Sequence, residues 1–218
     1  MSKLQIDSIR KSFGSETILQ DVYLSCEKGE IVGLLGRNGT GKSTIFKIAF
    51  GLIKAESSFV RIGNKVMQNQ FDRKRRLGYL PQNSFLPRNI KIKILISLFC
   101  NTENSFVLEN HPFVKPFLNS KPLELSGGEQ RIIEILLLIF SENEFVMLDE
   151  PFHSLSPKVV EEIKKLLKEK TLEKGFIISD HLYNDVMEIS DRIYLLSETS
   201  IKPISNPEEL KFYKYLRS

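Results

Sequence analysis

The chain has 218 residues, is 41% hydrophobic and 27% charged, and carries a formal net charge of +4. That composition fits one sizeable globular domain and excludes a collagen-like or disordered chain. The charge is too small to imply nucleic-acid binding, and no stretch reaches the roughly 18 uninterrupted apolar residues of a membrane span.

Residues 4–10 and 18–26 alternate apolar and polar side chains, as half-buried strands do. Residues 31–35 form a short, wholly apolar run suited to a buried parallel strand. It leads through a glycine-rich turn into a helix over about 42–50, which Gly51 can end in left-handed geometry. Residues 59–62 followed by Gly63-Asn64 read as a strand and turn, and 77–80 as a strand stopped by Pro81. Residues 83–124 are irregular, holding Pro87, Pro112, Pro116 and Pro122, with one convincing helix near 90–100. The regular pattern then resumes: helix 127–140, strand 145–148, helix 157–170, strand 176–179, helix 182–189, strand 192–196 and a charged C-terminal helix. Strands alternating with helices predict an α/β fold whose mainly parallel sheet is covered on both faces. With no repeat and no low-complexity linker, residues 1–218 are expected to form one domain with lobes.

The start of the chain, Met1-Ser2-Lys3-Leu4, has no apolar leader core, so a cytoplasmic location is expected, with any membrane role reached through a partner. Cys26 and Cys100 lie far apart and in no metal-type pair, and read as packing thiols. The run Arg73-Lys74-Arg75-Arg76 is the one dense basic cluster, either a solvated loop face or a docking patch for lipid or an acidic partner.

Three motifs carry chemistry. Gly36-Arg37-Asn38-Gly39-Thr40-Gly41-Lys42-Ser43 matches the phosphate-binding loop G-x-x-x-x-G-K-[ST], with an apolar strand before it and a helix after it, and Thr44 follows directly as a further nucleotide-binding residue. Its glycines let successive N–H groups converge on phosphate oxygens, backed by the helix N-terminus. Lys42 would reach the β- and γ-phosphates of a bound nucleotide, and Ser43 would ligate Mg²⁺. In Phe145-Val146-Met147-Leu148-Asp149-Glu150, a buried strand delivers two acids to its carboxyl end, where doubly wound sheets present ligands. There Asp149 can hold Mg²⁺ through water and Glu150 can polarise an attacking water. In Leu125-Ser126-Gly127-Gly128-Glu129-Gln130 a helix begins with bare N–H groups, an anion site. Ser126 and Glu129 also fit a capping box, which would serve only their own helix. Two successive glycines at a helix start are unexplained by capping, since they weaken the helix; close approach of a phosphate explains them.

With these residues in place, the sequence resembles the nucleotide-binding domain of the ATP-binding cassette (ABC) family over essentially its whole length. LSGGEQ is similar to the family signature, and the other two motifs to its Walker elements. The resemblance implies a phosphate-loop NTPase core with an N-terminal antiparallel β lobe and a short helical lobe inserted at about 83–140. It also implies further roles: Gln82 as the glutamine that senses Mg²⁺ and the nucleophilic water, and His181 as the switch histidine at the γ-phosphate. Phe13 stands where the family keeps an aromatic that stacks on adenine, or is a plain strand-end residue. The implied partners are a second copy of the chain, paired head to tail so that Ser126, Gly127, Gly128 and Glu129 complete the opposite site, and separate transmembrane subunits. ATP hydrolysis would then drive transport, with a soluble ABC ATPase or a weakly hydrolysing regulatory module as the alternatives. Apolar residues such as Phe85, Leu86 and Ile90 are expected on the membrane-docking face.

Two departures stand out. The family keeps an Asp where this chain has Ser156, which is still a good helix N-cap before Pro157 but carries no charge. The segment between Gln82 and Leu125 is also shorter and richer in proline than is usual in the family.

Overall fold

A computed structural model describes residues 2–206 and 209–210. The N-terminal third builds strands β1 (Lys3–Phe13) and β2 (Glu16–Glu27), then β3 (Ile31–Gly36), helix α1 (Lys42–Phe50), β4 (Ser57–Ile62) and β5 (Lys65–Val66). Helix α2 (Gln70–Arg76) precedes β6 (Leu77–Leu80), and α3 (Ile92–Phe99) and α4 (Thr102–Asn110) follow it. The remaining elements are α5 (Gly127–Ile139), β7 (Phe145–Asp149), α6 (Pro157–Lys170), β8 (Gly175–Ser179), α7 (Tyr183–Ile189), β9 (Arg192–Ser197) and β10 (Ser200–Ile204).

The strands form two sheets. One is antiparallel, in the order β2-β1-β4-β5; the other has the order β10-β9-β3-β8-β7-β6 and is parallel except for the edge strand β10. Strand alternation divides the apolar core between the two faces of the second sheet. Val32 and Leu34, with Phe145 and Met147, face α1 and the antiparallel sheet. Ile31 and Leu35, with Val146 and Leu148, face the core shared with α3, α5 and α6. Buried on both faces, β3, β7 and β8 are continuous apolar runs, as parallel strands require. Each fully buried large side chain, such as Phe46 or Phe176, contributes on the order of 1.5–3 kcal/mol over its exposed form.

The parallel register has one consequence for function. Leu80 lies opposite Leu148, Asp149 opposite Ser179, and Gly36 opposite Leu196. The loops carrying Gln82, Glu150, His181 and Lys42 therefore leave the sheet at one common edge, the carboxyl end where open α/β sheets place their ligands.

Several expectations are corrected. The basic run lies on α2, not in a loop. This short helix buries no residue of its own and so shows no apolar period to read. Its order comes from capping and charge: the Asn69 side chain accepts from Asp72 N, and Arg73 Nη1 donates to Ile48 O at 2.6 Å and Ala49 O at 3.1 Å, satisfying the last carbonyls of α1. Arg76 pairs with Glu144. Only Lys74 and Arg75 of the run are exposed.

The segment after Gln82 holds a second helix, α4, which Asn101 caps and which buries only Leu108. Leu86 is 5% exposed, and Phe85 and Ile90 pack against the core, with the Phe85 ring tilted against Phe99 at a centroid distance of 5.9 Å. The exposed large apolar residues of this lobe are instead Ile94, Leu98, Phe106, Val107 and Leu123. The short strand β5 and the edge strand β10 were also not expected. The C-terminal helix expected from the charged tail falls largely outside the described residues.

Candidate functional site

Gly41 is the hinge of the phosphate loop. It sits at φ 107° as the N-cap of α1, and a Cβ there would come within 2.9 Å of Ile18 Cγ2. Left-handed geometry and close packing together require glycine. Gly51 ends the same helix at φ 85°, as expected. Lys42 is buried, and its Nζ donates to Gly36 O at 2.7 Å and to Arg37 O at 3.1 Å. Burial lowers the Lys42 pKa, while Asp149, Glu150 and Asp180 pull it back up.

The two acids after β7 have different surroundings. Asp149 is 1% exposed; its Oδ2 accepts from Tyr79 OH at 3.2 Å, and its Oδ1 has no hydrogen-bond partner. Burial raises its pKa, opposed by the Ser43 and Tyr79 hydroxyls. A buried carboxylate oxygen without a partner is costly in the absence of a cation, and a hard cation prefers such oxygen donors. Asp149 and Ser43, with Gln82 at the same edge, therefore form a donor set that fits Mg²⁺.

Glu150 takes a left-handed backbone, φ 52°, with its N–H on Ser179 O at 2.6 Å. For a side chain other than glycine this is strained, and its neighbours hold it there. The strain turns the carboxylate toward the phosphate loop. Gln82 Nε2 donates to Glu150 Oε1 at 2.6 Å, and His181 Nε2 lies 2.6 Å from the same oxygen. These three residues line a cavity of ≈ 450 Å³ with Asn38, Gly39, Gly41, Lys42, Ser43 and Thr44. Most of the phosphate-loop, metal and catalytic residues read from the sequence thus meet in one place.

Other expected site residues stand apart. Phe13 does not line this cavity; it is 53% exposed, with Lys11 Nζ 4.7 Å from its ring centroid. The signature glycines line a neighbouring cavity of ≈ 280 Å³, which shares Gln82 and Glu150 with the first. The capping box is formed: Ser126 N donates to Glu129 Oε2 at 2.8 Å, and Ser126 Oγ accepts from Glu129 N at 3.4 Å. A Cβ on Gly127 would meet nothing within 4 Å, and one on Gly128 only Ser154 O at 3.6 Å. Nothing in this chain's own packing therefore demands either glycine. Ser156 occupies the N-cap position of α6, where its carbonyl accepts from Val159 N and Val160 N. Its hydroxyl makes no capping bond, so the expected side-chain cap is absent.

Four supporting residues were not singled out from the sequence. Arg131, on α5, donates to Pro81 O, Asp149 O and Glu150 O, tying this helix to the loops after β6 and β7. Its buried partner Glu134 accepts from Ser84 Oγ and Phe85 N on the loop after Gln82. Asp180, beside His181, accepts from Phe152 N at 2.8 Å and Leu182 N at 3.0 Å, and so joins the loops after β7 and β8. Tyr79 holds Asp149.

Comparison with known proteins gives one consistent result. A family model described as ABC transporter matches residues 19–153. A probable ABC transporter ATP-binding protein of Azorhizobium caulinodans is 32% identical over 216 residues, covering 93% of this chain and 76% of that protein. The lipopolysaccharide export system ATP-binding protein LptB of Haemophilus influenzae is 29% identical, over 96% of this chain and 93% of its own length. In fold, the chain is similar to a solved structure of an ATP binding subunit of an ABC transporter, with a TM-score of 0.86 at 21% identity, over 99% of this chain and 94% of that one.

Proposed function

This chain belongs to the ABC transporter family of ATP-binding proteins, and from that premise we propose that it hydrolyses ATP to ADP and phosphate to drive a membrane transporter. The observation that carries the reading is the meeting of Gln82 and His181 on one oxygen of Glu150, in the cavity lined by Lys42 and Ser43. Loop N–H groups and Lys42 bind the β- and γ-phosphates and stabilise the charge that develops on transfer. Glu150 accepts a proton from the attacking water as the water oxygen bonds to the γ-phosphorus and the bond to the ADP oxygen breaks. Gln82 orients that water. His181 exchanges its contact with Glu150 for one with the γ-phosphate. Asp149, Ser43 and Gln82 hold Mg²⁺, which when bound neutralises phosphate charge.

The site is completed by a second copy of the chain, head to tail. Gly127 and Gly128 support this: their helix start is uncrowded within the chain, so a facing phosphate can come close to the N–H groups. Among the described residues no helix is long and apolar enough to cross a membrane. The transmembrane part is therefore assigned to a partner, met on the inner face of the membrane by the exposed apolar residues of α3 and α4. Phe13 is assigned to the adenine, where an aromatic face serves for stacking.

Glu150→Gln tests the chemistry. Hydrolysis should fall roughly 10²-fold or more, while ATP binding stays intact and an ATP-bound dimer accumulates. Near-normal turnover in that variant would remove Glu150 from its role.

A further inference from the structure

The loop after β6 is anchored on both sides of Gln82, and both anchors are made by α5. On one side Pro81 O accepts from Arg131 Nη1 at 2.6 Å. On the other, Ser84 Oγ and Phe85 N both donate to Glu134 Oε1, the second at 3.2 Å. Glu134 Oε2 lies 3.5 Å from Arg131 Nη1, so the two anchoring side chains are also paired with each other. Gln82 and Asn83 span the gap between these fixed points, and from there Gln82 Nε2 reaches Glu150 Oε1 at 2.6 Å.

Ser84 differs from the other two anchored residues. Pro81 and Phe85 are held through backbone atoms, whereas Ser84 is held through its side chain. Its hydroxyl donates to Glu134 and accepts from Gln130 Nε2, so one oxygen ties the loop to two side chains of α5. Gln130 and Glu134 stand four apart and so lie on one face of the helix. A carboxylate can only accept and an amide nitrogen can only donate; a hydroxyl answers both.

We propose that Ser84 is the positioning residue for Gln82: by clamping the loop to Gln130 and Glu134 it fixes the reach of Gln82 to the water that Glu150 activates. This rests on the reading of Gln82 as the residue that orients that water. Ser84 does not line the cavity shared by Lys42, Gln82 and Glu150, and acts on it through Gln82.

The test is steady-state ATP hydrolysis by the natural chain, Gln82→Ala, Ser84→Ala, Ser84→Thr and the double variant Gln82→Ala with Ser84→Ala. Each is measured at a temperature where its melting curve shows it folded. Ser84 is exposed, so removing its hydroxyl opens no cavity in the core. Ser84→Ala should lower kcat several-fold, within the roughly 10²-fold that a misplacement of about 1 Å can cost, and leave the KM for ATP unchanged. Ser84→Thr keeps the hydroxyl and should restore most of the rate. In the Gln82→Ala background, Ser84→Ala should lower the rate no further, because the side chain it positions is gone. If Gln82→Ala hydrolyses ATP at the natural rate, the reading of Gln82 falls, and this proposal with it. If Gln82→Ala is slow but Ser84→Ala matches the natural chain, or slows both backgrounds by the same factor, the positioning role of Ser84 alone is overturned.

Discussion

The carboxyl end of the parallel sheet and the helical segment after Gln82 are built on opposite plans. At the sheet end, buried polar groups meet one another: Arg131 grips three carbonyls, Asp180 takes two backbone N–H groups, and Glu150 receives Gln82. In the helical segment, apolar residues are left facing outward, with Leu98 68% and Phe106 72% exposed. In the first region most buried polar groups find partners within the chain, Asp149 Oδ1 and Ser179 Oγ excepted. The second presents a surface that gains by being covered. A motor needs both: a site whose geometry is fixed before nucleotide binds, and a contact through which its closing is felt elsewhere.

The sharpest way to break this contrast is at Arg131. Its side chain is buried against Glu134, so Arg131→Met leaves an uncompensated buried charge. A loss of about 3–5 kcal/mol is expected in urea unfolding. Arg131→Met combined with Glu134→Met should recover part of that stability, yet leave turnover low, because the carbonyls of Pro81, Asp149 and Glu150 still lack their donor. A single variant within 1 kcal/mol of the natural chain would contradict the assigned role.

A smaller effect is expected at Ser156. Its hydroxyl makes no capping bond, so Ser156→Asp removes nothing from the fold. The melting temperature should stay within a few degrees, the effect of under about 1 kcal/mol. The new carboxylate can form charge-assisted bonds across the proposed dimer, so ATP-dependent dimerisation should tighten or turnover rise. A large drop in melting temperature with dimerisation unchanged would show that Ser156 serves its own helix alone.

The smallest effect on the isolated chain is expected in the helical segment. Leu98→Asp lies on an exposed position and should change stability by no more than about 0.5 kcal/mol, with basal ATP hydrolysis kept. Its consequence should show only in detergent-solubilised membranes, where recovery of a multi-span protein falls. Equal recovery from both chains would place the docking surface elsewhere.

The same two regions explain what could be read from the sequence. Strands such as β3 and β7 were legible because burial on both faces makes them wholly apolar, and Gly41 and Lys42 because a phosphate loop tolerates few alternatives. In α4 and α2 order comes from Asn caps and from arginines reaching across the fold, and neither leaves an apolar period. Leu86 looked like surface because it follows a polar loop, yet it packs into the core beneath α5. Within the site, Tyr79 bonds Asp149 and Asp180 accepts from Phe152 N, both far away in sequence, so no local spacing marks these roles. Arg131 did leave a trace: Arg131 and Glu134 stand three apart, with only isoleucines between them and an apolar run after them, as a buried ion pair would.

Two copies of this chain are proposed to complete each other's site. The most direct measurement mixes a Ser126→Arg chain with a Lys42→Ala chain and follows ATP hydrolysis against each alone. One intact composite site forms in the heterodimer, joining Lys42 of the first chain to Ser126 of the second. The mixture should therefore hydrolyse ATP faster than either parent. Heterodimers that form, as shown by crosslinking of differently tagged chains, and yet recover no hydrolysis would contradict sites built from two chains.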